Sequence, residues 1–235
     1  MNSRTGKIIE RLQELGDSDI ASHSQRFFKT GPGEYGEGDI FLGIRVPVIR
    51  GYVRELSDVG LKDVVELLQS PYHEARLLAL LLMVARYASA KDDDQRDAIF
   101  NAYLDNTANI NNWDLVDCSA EHVIGAHLMS RDRIPLYRLA GSTSLWERRI
   151  SIMSTFHFIK RSDFRDTLAI AELLLNDRED LIHKATGWML REIGKRDISM
   201  EKEFMDRYRG KMPRTMLRYA IERFPEEERL LYLQG

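Results

Sequence analysis

Four short segments of this chain share one pattern, a basic residue followed at once by apolar ones near the start of an apolar-periodic stretch. They are Glu74-Ala75-Arg76-Leu77-Leu78, Glu147-Arg148-Arg149-Ile150-Ser151, Ile182-His183-Lys184-Ala185-Thr186 and Met216-Leu217-Arg218-Tyr219-Ala220. Aligned, they superpose Arg76, Arg149, Lys184 and Arg218 with gaps of 73, 35 and 34 residues. The first gap is two periods, so a further member belongs near residue 112 or 113, where Trp113 stands. A period of about 35 to 37 residues with two helices per unit is the signature of a HEAT-like solenoid, in which each unit buries its apolar face only against its neighbours. An irregular helical bundle with chance spacing is the competing architecture.

Local patterning agrees with an all-α chain, because apolar residues return every three or four positions almost throughout and alternating runs are few. Helices are predicted at 4–15, 18–28, 47–56, 60–69, 72–87, 93–104, 112–128, 131–139, 144–160, 163–175, 178–194, 199–209, 213–223 and 226–233, making five or six pairs in one domain, 1–235. Asp17 or Ser18, Ser70 with Pro71, and Asp177 are placed as N-terminal caps. The conspicuous non-helical segment is Lys29 to Arg45, with Gly31, Gly33, Gly36 and Gly38 close together. It lacks the Gly-Lys-Ser/Thr of a phosphate loop, and Glu34, Glu37 and Asp39 would repel phosphate, so it reads as a flexible connection between helical units.

Composition narrows the function. At 43% hydrophobic and 30% charged, 235 residues suffice for a sizeable core and exclude intrinsic disorder. A net charge of −3 leaves any cationic surface local. One cysteine, Cys118, excludes a disulfide framework and fits a reducing cytoplasm; it reads as a buried structural residue. His122 and His127, five apart, do not share a helix face, so no metal site is expected. The longest apolar run, Leu77 to Ala85, is far short of a membrane span.

Equivalent positions in a solenoid line one concave surface, so Arg76, Trp113, Arg149, Lys184 and Arg218 are expected to share a groove. Asp117 and Trp188, one turn beyond Trp113 and Lys184, fall on the same stripe, and Arg191 extends it. Trp146 lies on a neighbouring stripe and reads as core. Residues 184–218 carry ten Lys or Arg against five acids, a net of +5 that suits a phosphate backbone. Solvated helix faces explain such charge equally well. A carboxylate between two aromatics is a poor phosphate ligand, but it can orient water and stabilise a developing positive charge.

The segments Asn112-Trp113-Asp114-Leu115-Val116-Asp117, Leu145-Trp146-Glu147-Arg148-Arg149 and Lys184-Ala185-Thr186-Gly187-Trp188-Met189-Leu190-Arg191-Glu192, with Phe41-Leu42-Gly43-Ile44-Arg45-Val46-Pro47 near the N-terminus, resemble the DNA alkylation repair protein family, the AlkD-like HEAT-repeat DNA glycosylases. The resemblance implies that Asp117 is the catalytic aspartate, Arg149 an active-site arginine, and Trp113 and Trp188 the lesion-facing tryptophans. Arg191 matches a backbone-contacting arginine, and Arg45, Arg76, Arg148, Lys184, Lys195 and Arg218 are expected to join it on DNA. The implied activity is monofunctional excision of cationic N3- or N7-alkylated purines from duplex DNA in base excision repair. It implies no metal or organic cofactor, and the protein is expected to act as a cytoplasmic monomer without membrane contact. Where relatives carry a second aromatic beside the first tryptophan, this chain has Asn112. A non-catalytic helical-repeat protein, binding DNA structures or a protein partner, is the alternative.

Overall fold

The computed structural model describes residues 3–234 and shows an all-α helical-repeat fold. Two compact units divide the chain, Met1–Val123 and Ile124–Gly235.

The first unit holds α1 (Arg4–Glu14), α2 (Ser18–Phe27), α3 (Val46–Glu55), α4 (Leu61–Leu68), α5 (His73–Ser89), α6 (Asp93–Leu104) and α7 (Trp113–Asp117). Side-chain oxygens satisfy otherwise unpaired first-turn amides: Ser3 accepts from Gly6, Asp17 from Asp19 and Ile20, and Asp92 from Gln95. α5 is apolar around most of its circumference, as expected of a helix enclosed by neighbours, and it packs against α1, α3, α4, α6 and α7. Leu78, Leu80 and Met83 are fully buried, so truncating any one to Ala would cost about 2–5 kcal/mol.

The second unit holds α8 (Ala126–Leu128), α9 (Ile134–Ala140), α10 (Leu145–Ser154), α11 (Phe156–Ile159), α12 (Arg165–Leu173), α13 (Asp180–Gly194), α14 (Ile198–Tyr208), α15 (Arg214–Ala220) and α16 (Glu226–Gln234). α13 is its centre, packed on α10, α11, α12, α14 and α15. Gly187 sets the α13–α15 spacing: a Cβ there would lie 2.6 Å from Tyr219 Cβ and closer still to the Met216 carbonyl.

The helix expected over 112–128 is broken. α7 stops at Asp117, a π-helical turn runs Glu121–Gly125, and α8 follows. Buried Ser119 is the cause, because its hydroxyl lies 2.6 Å from the Leu115 carbonyl and 2.9 Å from Tyr103 Oη, competing with the main-chain ladder. The helix expected over 144–160 breaks at Thr155 in the same way, with Thr155 Oγ1 donating to the Ile152 carbonyl at 2.7 Å. Two expected caps are displaced: α5 starts after Tyr72 and α13 after Glu179. Ser70 and Asp177 instead accept from the Tyr72 and Glu179 amides, one step ahead of their helices. Among the described residues no helix is long and apolar enough to cross a membrane.

Candidate active site

In the first unit the site is built at the start of α7. Asn112, fully buried, turns its Oδ1 to the Trp113 amide at 2.9 Å and fixes where the helix begins. Trp113 is half-buried and stacks on Phe28, centroids 5.2 Å apart and planes 22° apart; Phe27 meets it edge-on at 6.0 Å and is 58% exposed. Phe28 stacks in turn on Phe41 at 4.9 Å, and Phe41 on His73 at 4.2 Å. The aromatic wall missing at position 112 is thus supplied by Phe27, Phe28 and Phe41. Sequence reasoning overlooked the first two, although the Phe-Phe pair closing α2 was a visible signal. Asp117, half-buried, follows Trp113 by one turn of α7. Its neighbour Cys118 has its thiol pushed up by burial and then by Asp114 and Asp117, with Arg50 opposing.

Behind the wall lies a buried set of alternating charges. Arg76 binds Asp39, Asp39 Oδ2 lies 2.8 Å from His73 Nδ1, and His73 Nε2 lies 2.8 Å from Asp114 Oδ2. Burial alone would lower the His73 pKa, but hydrogen bonds to Asp114 and Asp39 outweigh it and raise the value to about 9. Burial likewise works to raise Asp39, yet His73 and Arg76 hold it below the usual carboxylate range. The glycine-rich segment is therefore no flexible connection. Its Asp39 is buried, Glu34 and Glu37 fold back onto the Gly31 and Gly33 amides, and Glu74 of α5 accepts from the Leu42, Gly43 and Ile44 amides at 2.8–3.2 Å. Gly43 is required there, with φ +84° and the Ala21 amide 2.6 Å from where a Cβ would sit.

In the second unit Trp188 is half-buried, 6.2 Å from Phe156 between centroids, and its indole N–H donates to Glu192 Oε1 at 3.2 Å. Glu192 is buried, which works to raise its pKa, but Lys195, Trp188 and Arg196 hold it low. Trp146 is half-buried rather than core.

The expected cationic residues divide into two kinds. Arg76 is buried on Asp39 and the Ser70 carbonyl, and Arg148 is held by Asp177 at 2.6 and 3.3 Å and by the Ser142 and Thr143 carbonyls. Arg149 is also buried and donates to the Leu181 carbonyl at 2.5 Å. The guanidinium groups of Arg76 and Arg148 tie loops to α5 and α10, and that of Arg149 ties α10 to the first turn of α13, which corrects the expectation that Arg76 and Arg148 face DNA. Arg45 and Arg218 are exposed. Lys184 is partly exposed and pairs with exposed Asp180 one turn away, an exchangeable contact of about 0.3–0.5 kcal/mol, while Lys195, also partly exposed, pairs with the buried Glu192. Arg191 pairs with the half-exposed Glu222.

Helix position revises the repeat register. Arg149, Lys184 and Arg218 are each the fifth residue of their helices, and the fifth residue of α7 is Asp117; Trp113 is its first. Asp117 therefore occupies the position that is basic in α10, α13 and α15.

A helical-repeat fold carrying a carboxylate beside an aromatic wall defines a class of protein rather than a reaction. The chain belongs to the DNA alkylation repair enzyme family, whose model matches residues 8–224. Family membership makes DNA alkylation repair its field of action and DNA its partner. A solved structure described as a predicted DNA alkylation repair enzyme from Enterococcus faecalis shares the fold, with a TM-score of 0.69 and 15% identity over 90% of this chain and 98% of that one. No curated protein sequence matches significantly.

Proposed function

We propose that the protein is a monofunctional DNA glycosylase that hydrolyses the N-glycosidic bond of cationic N3- or N7-alkylated purines in duplex DNA. The observation that carries this reading is Asp117 one helical turn from Trp113, which Phe27 and Phe28 support from the side. An alkylated purine already bears positive charge and leaves as a neutral base with the bonding electrons. What remains is to stabilise the sugar as it becomes oxocarbenium-like and to let water add at the anomeric carbon, losing a proton. A carboxylate about 4 Å from unit positive charge, at an effective dielectric of about 20, is worth about 4 kcal/mol. That corresponds to roughly a thousandfold in rate, the scale of one well-placed electrostatic group. Aromatic faces add cation–π attraction without competing for phosphate.

In the second unit Trp188 is assigned to the alkylated nucleotide and Arg149 to holding the main chain that presents α13. Arg45, Lys184, Arg191, Lys195 and Arg218 are assigned to phosphates. Asp117→Asn tests the reading: 7-methylguanine release from methylated duplex under single turnover is expected to fall a hundredfold or more, with melting and affinity for undamaged DNA unchanged or higher. Wild-type excision by a folded Asp117→Asn protein would end it.

The buried state of Arg149 favours a second reading, a binder of DNA structures without excision. Wild-type protein that binds duplex DNA but releases no methylated base would select it.

A further inference from the structure

His73 is bracketed by two carboxylates from different parts of the first unit. Its Nδ1 meets Asp39 in the glycine-rich segment and its Nε2 meets Asp114 in α7, both at 2.8 Å, and its ring is 98% buried. A neutral imidazole has one donor and one acceptor nitrogen, whereas ionised carboxylates only accept. Both contacts are satisfied together only when both ring nitrogens carry protons. Charge balance agrees: Arg76, Asp39, His73 and Asp114 sum to zero with His73 protonated and to −1 without, and an unbalanced buried charge is costly. The other charged group at this corner of α5, Glu74, is turned onto the Leu42 to Ile44 amides. Phe28 and Phe41 cover the His73 ring with apolar faces.

Asp114 is the second residue of α7, between Trp113 and the turn that carries Asp117. The same imidazolium is also in contact with Phe41 and Phe28, on which Trp113 stacks. We infer that protonated His73 is a positioning residue for the Trp113–Asp117 site, fixing α7 through Asp114 and the Trp113 ring through the Phe41–Phe28 stack, so that losing its proton displaces Trp113. The inference deepens the glycosylase reading and borrows its site, but its test does not depend on excision.

The experiment uses the full chain labelled with 5-fluorotryptophan. It follows the three tryptophan resonances by fluorine NMR from pH 7 to 10, assigned by single Trp→Phe variants. The Trp113 resonance is expected to move with a midpoint near 9, the value for His73, while Trp146 and Trp188 stay in place. Asp114→Asn, which keeps the shape of the side chain and removes its charge, is expected to shift Trp113 at pH 7 and lower the midpoint by about one to three units. His73→Gln is expected to abolish the titration. A Trp113 resonance that stays fixed while the His73 ring titrates overturns the inference, as does a folded Asp114→Asn protein with wild-type Trp113 shift and midpoint. Excision measured on the same samples judges the glycosylase reading separately. A protein that releases no base but shows the coupled titration loses that reading and keeps this one.

Discussion

Phe28, just past the end of α2, and Trp113 of α7 lie nearly parallel with ring centroids 5.2 Å apart, so the aromatic face beside Asp117 is assembled from residues 85 positions apart in the chain. Stacked pairs contribute about 0.5–1.5 kcal/mol beyond the area they bury. Phe28→Leu is therefore expected to lower stability by about 1 kcal/mol in urea titrations. If the wall orients the nucleotide, single-turnover excision falls by more than tenfold, because small misplacements of a reacting group are costly. Equal, small losses in both would reduce Phe28 to packing alone.

Arginines spent on packing and cations left at the surface make opposite predictions. Lys184→Ala and Arg218→Ala are each expected to flatten the dependence of log K on log salt for duplex DNA by about 0.9, leaving the melting temperature within error. Arg148→Ala leaves Asp177, 4% exposed, without its partner and is expected to cost about 3–5 kcal/mol. Its salt slope should stay as in wild type. Fluorescence anisotropy at three salt concentrations, beside thermal melting, distinguishes the two groups.

Glu201 of α14 is buried with Oε1 lacking a hydrogen-bond partner, and burial pushes its pKa up to about 8 against the pull of Arg191 and Lys202. The folded state thus holds this proton more tightly than the unfolded chain. Its contribution to stability is full below about 4.5 and declines as pH rises through about 8. Glu201→Gln is expected to remove that decline and to raise stability at pH 8.5 by about 1–3 kcal/mol. Urea unfolding at pH 5.5 and 8.5 checks it, and parallel profiles for the two proteins would refute it.

Gly187→Ala places a methyl group against the Met216 carbonyl and Tyr219 Cβ, so α13 and α15 must separate. A loss of about 1–3 kcal/mol is expected, with a lower melting temperature and a near-ultraviolet circular dichroism change from the adjacent Trp188. An unchanged melting temperature would show that the helix pair gives way freely.

Helix positions were legible because each helix repeats an apolar stripe that only the 3.6-residue period explains, and most predicted spans match the structure within two residues. The breaks at Ser119 and Thr155 were hidden, since a hydroxyl that turns back onto its own main chain leaves the apolar pattern intact. Trp113 and Asp117 were readable as neighbours because four residues make one turn. The Asp39–His73–Asp114 set was not, because its members stand 34 and 41 residues apart and each looks like a surface residue when read alone. The partners of Arg76, Arg148 and Arg149 were hidden for a related reason: charge is visible in a sequence, but the buried carboxylate or carbonyl that takes it up is not.

Glu74 gathers three successive amides of the glycine-rich segment onto one carboxylate anchored in α5. In hydrogen exchange, Leu42, Gly43 and Ile44 then behave as part of the helix core and not as a loop, exchanging only through openings large enough to release the start of α5. The segment and the helix form one cooperative unit. Selection acting on the length or composition of residues 39–44 is therefore selection on the stability of α5 itself.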